Sequence, residues 1–379
     1  MLLSLFASRI SRRLSFVCSI AVVSTATADT GGLPNFPEDP QTHHWEKVGE
    51  GVYAFISPPG ITPLVTGNSL VVIGDDGLLV VDSGQFPSLA RAEIAEIKKL
   101  SPLPVRYVVN THWHPDHWVG NGEFRKAWPG VAIVSTRNTL ALAQAGAGEV
   151  TPAYAAAMLA SLDKAIAQGG KRRDGTPRPA QEIAYLDMAQ AQLRKYHAEL
   201  ETVKLAFPDV VFTNELDLYL GKRLVQVRFL GRANTGGDAI VYVPDAKVLA
   251  AGDMLTGPFP YGGGSFYGEW PATLRRLAAF DTIAIVPGHG EVQHDKAYLV
   301  RMIKLLDGVN ARVAASIAAG ESLEQAQKKI TLDDEVVEFC GGLAFEDWCE
   351  RSFRRSFIAN AVTRSYREQK EGPLTSEKD

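Results

Sequence analysis

Histidines crowd one short stretch of this chain. Residues 110–121 read NTHWHPDHWVGN, so three of the eight histidines in 379 residues lie within six positions, at 112, 114 and 117. The stretch follows VRYVV, a β-branched run typical of a buried strand. Imidazoles two residues apart on an extended loop can reach one ion, while the adjacent Asp116 and His117 begin the next turn and point to a neighbouring position. The chain must therefore fold so that a strand ends at a cluster of metal ligands, unless these histidines are hydrogen-bonded in a polar loop.

Three later blocks also place polar side chains at the ends of apolar, strand-like runs. They are GRANTGGD at 231–238, AGD at 251–253 and PGHG at 287–290. Together with the histidine-rich stretch they resemble the signature of the metallo-β-lactamase superfamily, over about residues 47–295. The resemblance implies an α/β fold, an αββα sandwich with two metal ions at one edge of its β-layers.

The resemblance also implies a set of metal ligands. His112 and His114 correspond to ligands of the first metal, and Asp253 would bridge both metals. The second metal corresponds to three side chains, Asp116, His117 and His289.

Asn234 departs from the family pattern, because it lies where the third histidine of the first metal usually stands. An amide oxygen is a weaker zinc ligand than an imidazole nitrogen. We therefore expect one tightly bound Zn²⁺ and a second, weaker one. Two alternatives remain open: the amide orients a metal-bound water, or another histidine completes the site, from among His197, His294 and the pair His43–His44.

A turn at Asp82-Ser83-Gly84, which closes the run LLVVD, also matches the family. We expect a structural role, in which its hydrogen bonds hold the metal-binding loop.

The reaction expected of such a site is hydrolysis by a metal-bound hydroxide, oriented by Asp116, which would carry its proton to the leaving group. The substrate would contain a carbonyl group, as an ester, lactone, thioester or cyclic amide. Zinc β-lactamases tend to have Cys or Ser where this chain has Asp253, so β-lactam hydrolysis, as main or side function, is an alternative. A non-catalytic metal- or ligand-binding protein is another. The iron persulfide dioxygenases of the same fold need the histidine that Asn234 replaces.

Hydrophobic patterning divides the chain into two strand-rich halves. The first half begins at Val52 and contains an amphipathic helix over residues 87–100. A helical insertion follows at 139–203, with two helices separated by the polar break GGKRRDGTPRP. Strands return until PGHG, after which the chain is helical to its end, with a polar tail from about Glu368. We expect a catalytic domain over residues 47–299 and a helical C-terminal extension over 300–379.

The N-terminal residues 1–28 have the pattern of a secretory signal peptide. Early arginines precede an apolar stretch, and Ala26 and Ala28 form a small-x-small cleavage site. An unstructured arm is the alternative, and the export route, general or twin-arginine, stays open. A mature protein located in the periplasm or secreted is expected, beginning with an N-terminal segment over residues 29–46.

Charge limits the class of partner. Loss of residues 1–28, which hold three arginines and no acidic residue, changes the net charge from −4 to −7. An acidic surface argues against nucleic acid, and no apolar run is long enough for a stable membrane anchor. A small-molecule substrate is expected, while the oligomeric state is open. Cys340 and Cys349 could form a disulfide or remain as reduced core thiols.

Aromatic residues follow Asp253 in the glycine-rich run LTGPFPYGGGSFYGEWP. They could form a substrate wall or belong half to the core, and the insertion could act as a lid. The residues concerned are Phe259, Tyr261, Phe266, Tyr267 and Trp270, to which Trp113 and Trp118 could add.

Overall fold

The computed structural model describes residues 43–57, 64–167, 171, 175, 177, 180–343 and 346–377. The predicted signal peptide lies outside the described residues, as do most of the predicted N-terminal segment and most of the polar break at 169–179.

One sheet is formed by the six strands that precede the helical insertion and by the short strand that follows it. Its seven strands lie side by side in chain order, antiparallel from the first to the fourth and parallel from the fourth to the seventh. The strands are β1 (His44–Gly49), β2 (Val52–Ile56), β3 (Ser69–Ile73), β4 (Leu78–Val81), β5 (Val105–Val109), β6 (Ala132–Thr136) and β7 (Val210–Phe212).

The second sheet has five strands in the order β12-β11-β10-β9-β8. They are β8 (Glu215–Leu220), β9 (Arg223–Phe229), β10 (Ala239–Val243), β11 (Val248–Thr256) and β12 (Ala284–His289). Only β11 and β12 pair in parallel; the other neighbours are antiparallel.

The two sheets pack face to face, and helices cover their outer faces. Side chains alternate across a strand, so Leu79 and Val81 face the second sheet across an apolar core, whereas Val80 packs against the outer helices. The outer helices of the first sheet are α1 (Pro87–Leu100), α2 (Pro115–Trp118) and α3 (Asn121–Ala127). Those of the second are α7 (Trp270–Ala278), α8 (Ala297–Ala318), α9 (Leu323–Lys329) and α10 (Asp333–Cys340). The predicted αββα sandwich is confirmed.

The helical insertion and the C-terminal extension are also present. The insertion contains α4 (Arg137–Gly146), α5 (Pro152–Ala167) and α6 (Ala180–Leu200), of which α5 and α6 pack together. The extension continues from α8 to α10 and ends with α11 (Glu346–Phe353), a π-helical turn (Arg354–Ile358) and α12 (Ala359–Glu371). Cys340 and Cys349 form a disulfide, which decides between the two states left open by the sequence.

Sequence patterning predicted most of these elements. Helix α1 has the predicted bounds, because its apolar residues recur at helical spacing. Strand β1 was missed, since HWEKVG has few β-branched residues and is an edge strand held by pairing with β2. Throughout the described ranges, no helix is long and apolar enough to span a membrane.

Candidate metal centre and active site

The polar clusters lie at one edge of the sandwich, where strands from both sheets end. Strand β5 leads into the loop that carries His112 and His114, and α2 carries Asp116 and His117. In the second sheet, Asp253 lies in β11 and His289 is the last residue of its parallel neighbour β12. Because parallel strands end at the same edge, these two side chains reach the same place as the histidine-rich loop.

One cluster consists of Asp116, His117 and His289, all with ligand atoms within 4.8 Å of one another. The Asp116 Oδ2 atom lies 3.2 Å from His117 Nε2 and 3.0 Å from His289 Nε2. Ligands that bind one tetrahedral zinc at about 2.0–2.1 Å stand roughly 3.3 Å apart. The spacing therefore suits one ion.

The other cluster consists of His112, His114 and Asp253. His112 Nε2 lies 2.9 Å from His114 Nδ1, and Asp253 Oδ2 lies 3.5 Å and 3.8 Å from those two nitrogens. This cluster has two imidazoles and one carboxylate.

Asp253 joins the two clusters through its separate oxygens. Its Oδ2 faces His112 and His114, whereas its Oδ1 lies 3.3 Å from His117 Nε2 and 3.4 Å from His289 Nε2. A carboxylate in this orientation can bridge two cations, as the family resemblance implied.

Buried atoms without hydrogen bonds provide a test of whether a metal fits. Among the described side chains, Asp116 Oδ2, His117 Nε2 and Asp253 Oδ1 are buried and have no hydrogen-bond partner. An unsatisfied buried polar atom is costly, and here three of them converge. Their donor types, carboxylate oxygen and imidazole nitrogen, are those that zinc prefers, so the residues present fit a divalent metal.

The electrostatics of the clusters point the same way. Burial opposes ionisation, but the neighbouring histidines outweigh it and hold the pKa values of Asp116 and Asp253 far below their ordinary range. Burial also opposes a charge on His117, yet Asp116 and Asp253 raise its pKa well above the ordinary value. At His112 burial dominates and lowers the pKa to about 4. Two buried carboxylates thus require nearby positive charge, which a metal would supply.

Asp82 holds the metal-binding loop in place by hydrogen bonds, which confirms the structural role predicted for this turn. Its Oδ1 accepts a hydrogen bond from the Thr111 backbone N–H at 2.8 Å, and its Oδ2 accepts one from the Thr111 hydroxyl at 2.8 Å. Oδ2 also lies 2.8 Å from His117 Nδ1, which leaves Nε2 to face the cluster. Asp82 has a φ of 58°, a strained conformation for a residue other than glycine.

The turn that carries His289 is held equally closely. The Asn68 amide group donates hydrogen bonds to the carbonyls of Pro287 and Gly290, at 3.0 and 2.8 Å. A Cβ atom at Gly288 would lie only 2.0 Å from Asp253 Oδ1. Gly288 is therefore required for the close approach of this turn to the bridging carboxylate of Asp253.

Asn234 is buried beside Asp253, the carboxylate of the cluster that contains His112 and His114. Its Nδ2 donates to the backbone carbonyl of Asp253 at 3.1 Å, and its Oδ1 accepts from the Ser265 hydroxyl at 3.3 Å. The amide thus supports the strand that carries the bridging carboxylate. Its role as a metal ligand stays a prediction.

The other histidines considered from the sequence lie elsewhere. Neither cluster includes His43, His44, His197 or His294. His294 lies 2.8 Å from Glu46, and His44 lies 3.5 Å from Glu291; both histidine side chains are largely exposed. Within the described part of the chain, no further histidine joins the cluster of His112, His114 and Asp253.

A cavity of about 580 Å³ opens onto the metal-ligand clusters, where His114, Asp116, Asp253 and His289 line it. The insertion contributes one wall through four residues: Glu149, Tyr154, Met158 and Tyr196. The insertion therefore forms part of the cavity lining, next to the metal-ligand clusters.

The predicted aromatic wall is correct only in part. Phe259 and Tyr261 line the cavity. Phe266, Tyr267 and Trp270 are instead buried in the core, because the run after Tyr261 turns inward under the extension. Trp118 is also buried, and Trp113 donates a hydrogen bond to Glu377 and does not line the cavity.

Sequence reasoning missed the contribution of the C-terminal extension. Ser352, Arg355 and Ser356 line the cavity. Glu377, within the predicted polar tail, accepts hydrogen bonds from Trp113 Nε1 at 2.7 Å and from the Gly236 N–H at 2.8 Å. No local motif marks these residues, since only the path of the chain brings them to the site.

Comparisons with known proteins agree with this architecture. The sequence profile of the metallo-β-lactamase superfamily matches residues 62–289. A linear primary-alkylsulfatase from Pseudomonas sp. (strain ATCC 19151) is 26% identical over 277 residues, which cover 69% of this chain and 48% of the relative. The chain thus spans about half the length of that relative. A metallo-β-lactamase structure from Pontibacter korlensis has a TM-score of 0.50 and 20% identity, covering 70% of this chain and 99% of the other, and so shares the fold.

Proposed function

The chain belongs to the metallo-β-lactamase superfamily, and we propose that it is a zinc-dependent hydrolase of a small carbonyl substrate: an ester, lactone, thioester or cyclic amide. The observation that carries the proposal is the pair of ligand clusters joined by Asp253. They face a cavity and contain buried, unsatisfied donor atoms.

Each residue of the clusters has a part in this proposal. His112, His114 and Asp253, with Asn234 beside them, would hold the weaker metal. Asp116, His117, His289 and Asp253 would hold the tighter one. Zinc bound there supplies Lewis acidity and a nucleophile at neutral pH.

Asp116 is the proposed catalytic residue. It is buried and ionised, and its Oδ2 lies between the Nε2 atoms of His117 and His289. In this position it would orient the nucleophile, accept its proton and pass that proton to the leaving group. Tyr261 lines the same cavity, and burial raises the pKa of its hydroxyl, which therefore stays protonated and could donate a hydrogen bond to the substrate.

A sulfate ester is a second candidate substrate. The relative with 26% identity is a linear primary-alkylsulfatase, and the cavity has apolar walls suited to an alkyl chain, formed by Leu64, Val65, Met158 and Phe259. β-Lactam hydrolysis and metal binding without catalysis remain the further alternatives.

Export to the periplasm or secretion also remains a proposal. Its support is the N-terminal pattern up to Ala28 and the disulfide between Cys340 and Cys349, a bond that forms mainly in oxidising compartments.

A substrate panel tests the proposed function. Zinc-loaded and metal-free protein would be assayed against aryl esters, lactones, thioesters, a chromogenic β-lactam and alkyl sulfates. We expect zinc-dependent turnover of a carbonyl class that Asp116→Ala lowers by at least about a thousandfold, since it loses both a ligand and the proton carrier. Asp245→Ala is the matched control, because it changes an exposed aspartate in the turn that precedes β11 and that does not line the cavity. Turnover of alkyl sulfates alone would favour the second candidate, and a folded, zinc-loaded protein inactive on every class would overturn the proposal.

A further inference from the structure

The C-terminal extension closes one side of the cavity that holds the metal-ligand clusters. Ser352, Arg355 and Ser356 line this side, at the junction of α11 with the π-helical turn. They lie beyond residues 62–289, to which the family profile extends. The extension therefore gives this chain a cavity wall that the matched region does not supply.

The helix that carries Arg355 is firmly held. The disulfide between Cys340 and Cys349 ties α11 to α10. Phe353 and Phe357, on either side of Arg355, are fully buried in the core beneath the second sheet. Since these anchors fix the rotation of the helix, Arg355 is directed to the cavity. The π-helical turn is consistent with a functional position, because such turns are frequent at binding sites.

Arg355 is the one lysine or arginine among the described residues that line the cavity. Its neighbour Arg354 forms ion pairs with Asp333 and Glu350. Arg355 has no ion pair or side-chain hydrogen bond within the described ranges, and it is an exposed residue of the cavity lining. Asp116 and Asp253 are the buried acids of the cavity, and both belong to the metal-ligand clusters. A guanidinium group without a partner is thus available to a ligand.

We propose that Arg355 binds a carboxylate of the substrate, at the end remote from the bond that is cleaved at the metal-ligand clusters. This inference rests on the proposed function and extends it to a substrate class: acyl compounds with an apolar middle and a carboxylate at the far end. The apolar middle would lie along the walls at Leu64, Met158 and Phe259. A guanidinium group donates two parallel hydrogen bonds to a carboxylate, which gives both affinity and orientation.

Equilibrium binding tests the inference without relying on turnover. Calorimetry on zinc-loaded protein would compare linear dicarboxylates of about four to ten carbons with monocarboxylates of equal length. One carboxylate of each ligand can bind at the metal, so the affinity ratio reports the second carboxylate. The variants are Arg355→Gln, Arg355→Lys and, as matched control, Arg351→Gln, which changes an exposed arginine one helical turn earlier that does not line the cavity.

At the best chain length we expect a dicarboxylate to bind about tenfold more tightly than its monocarboxylate, the order expected for a charged hydrogen bond. Arg355→Gln should reduce this ratio to about two, the statistical factor for a ligand with two equivalent carboxylates. Arg355→Lys should keep part of the tenfold ratio, and Arg351→Gln should leave it unchanged. A ratio of about two or less in the unaltered protein at every length, or a tenfold ratio that survives in Arg355→Gln, would overturn the inference. The two claims can fail separately. A protein that hydrolyses uncharged esters but shows no preference for dicarboxylates would refute this inference and leave the proposed function intact. A protein that prefers dicarboxylates through Arg355 but hydrolyses no substrate of the panel would refute the proposed function and leave the binding site intact.

Discussion

Replacement of Asp82 by asparagine should weaken zinc binding although Asp82 is not itself a ligand. Asp82 accepts three hydrogen bonds, two from Thr111 and one from His117 Nδ1. Asparagine has almost the same shape, and its oxygen can replace Oδ1. Its NH₂ group would then occupy the place of Oδ2 and present a donor to His117 Nδ1–H. The imidazole could relieve this only by moving its proton to Nε2, the atom that faces the metal cluster.

The size of the effect follows from what is lost. One hydrogen bond to a charged acceptor is worth about 1.5–3 kcal/mol, and loss of a group that orients a metal ligand costs about tenfold to a hundredfold in metal affinity. We therefore expect Asp82→Asn to bind the tighter zinc about tenfold to a hundredfold more weakly. The dissociation constant would be measured by competition with a chromophoric chelator, with circular dichroism as the check on folding.

The matched control is Asp245→Asn, in which an exposed aspartate loses its charge beside Arg223, far from the clusters. Its zinc affinity should equal that of the unaltered protein. A folded Asp82→Asn protein with unchanged zinc affinity would refute the reasoning that His117 binds the metal through Nε2 under the control of Asp82.

Three further predictions concern Asn234, Glu93 and Glu377. Asn234→His should tighten the weaker zinc step by about tenfold or more; calorimetry in which the two steps keep their separation would contradict this. Burial raises the pKa of the Glu93 carboxyl from 4.5 to about 8. The unfolded chain therefore releases this proton at a lower pH than the folded protein does. As the pH rises from about 5 to 7.5, the free energy of unfolding should fall by up to about 1.4 kcal/mol per pH unit. Glu93→Gln should remove that slope in denaturant titrations, and an equal slope in both proteins would exclude it. Glu377→Gln should lower the free energy of unfolding by about 1–3 kcal/mol, because its single amide oxygen can accept from only one of Trp113 and Gly236. Thermal melts matching those of the exposed control Glu371→Gln would show that the tail contributes nothing.

The sequence predicted those parts of the fold that local patterns encode. Buried strands such as β4 and β5 are continuous β-branched runs, and α1 has clear helical periodicity. The edge strand β1 lacks such a pattern and is formed by its pairing with β2. The polar motifs that follow the apolar runs marked the ends of strands. The family resemblance then predicted that their side chains meet at one edge of the sandwich.

The candidate site could be predicted as far as its motifs extend. The resemblance assigned two sets of ligands, and the structure brings the same side chains into two clusters that share Asp253. The sequence motifs could not reveal that the Asn234 amide is hydrogen-bonded to Asp253 and Ser265. Nor could the motifs place Arg355 or Glu377 beside the site. The hydrogen bonds of Glu377 to Trp113 and Gly236 span more than 100 residues of chain, and Arg355 reaches the cavity only through the packing of the extension.

Titration of metal-free protein with zinc, followed by calorimetry, tests the central claim most directly. The two clusters differ in their ligands: one has two histidines and Asp116, and the other has two histidines with Asn234 beside them, while Asp253 is shared. We predict two separate binding steps, one tight and one weaker, with the tight step lost in His289→Ala. A folded protein that binds no zinc, or a tight step that His289→Ala leaves unchanged, would contradict the account.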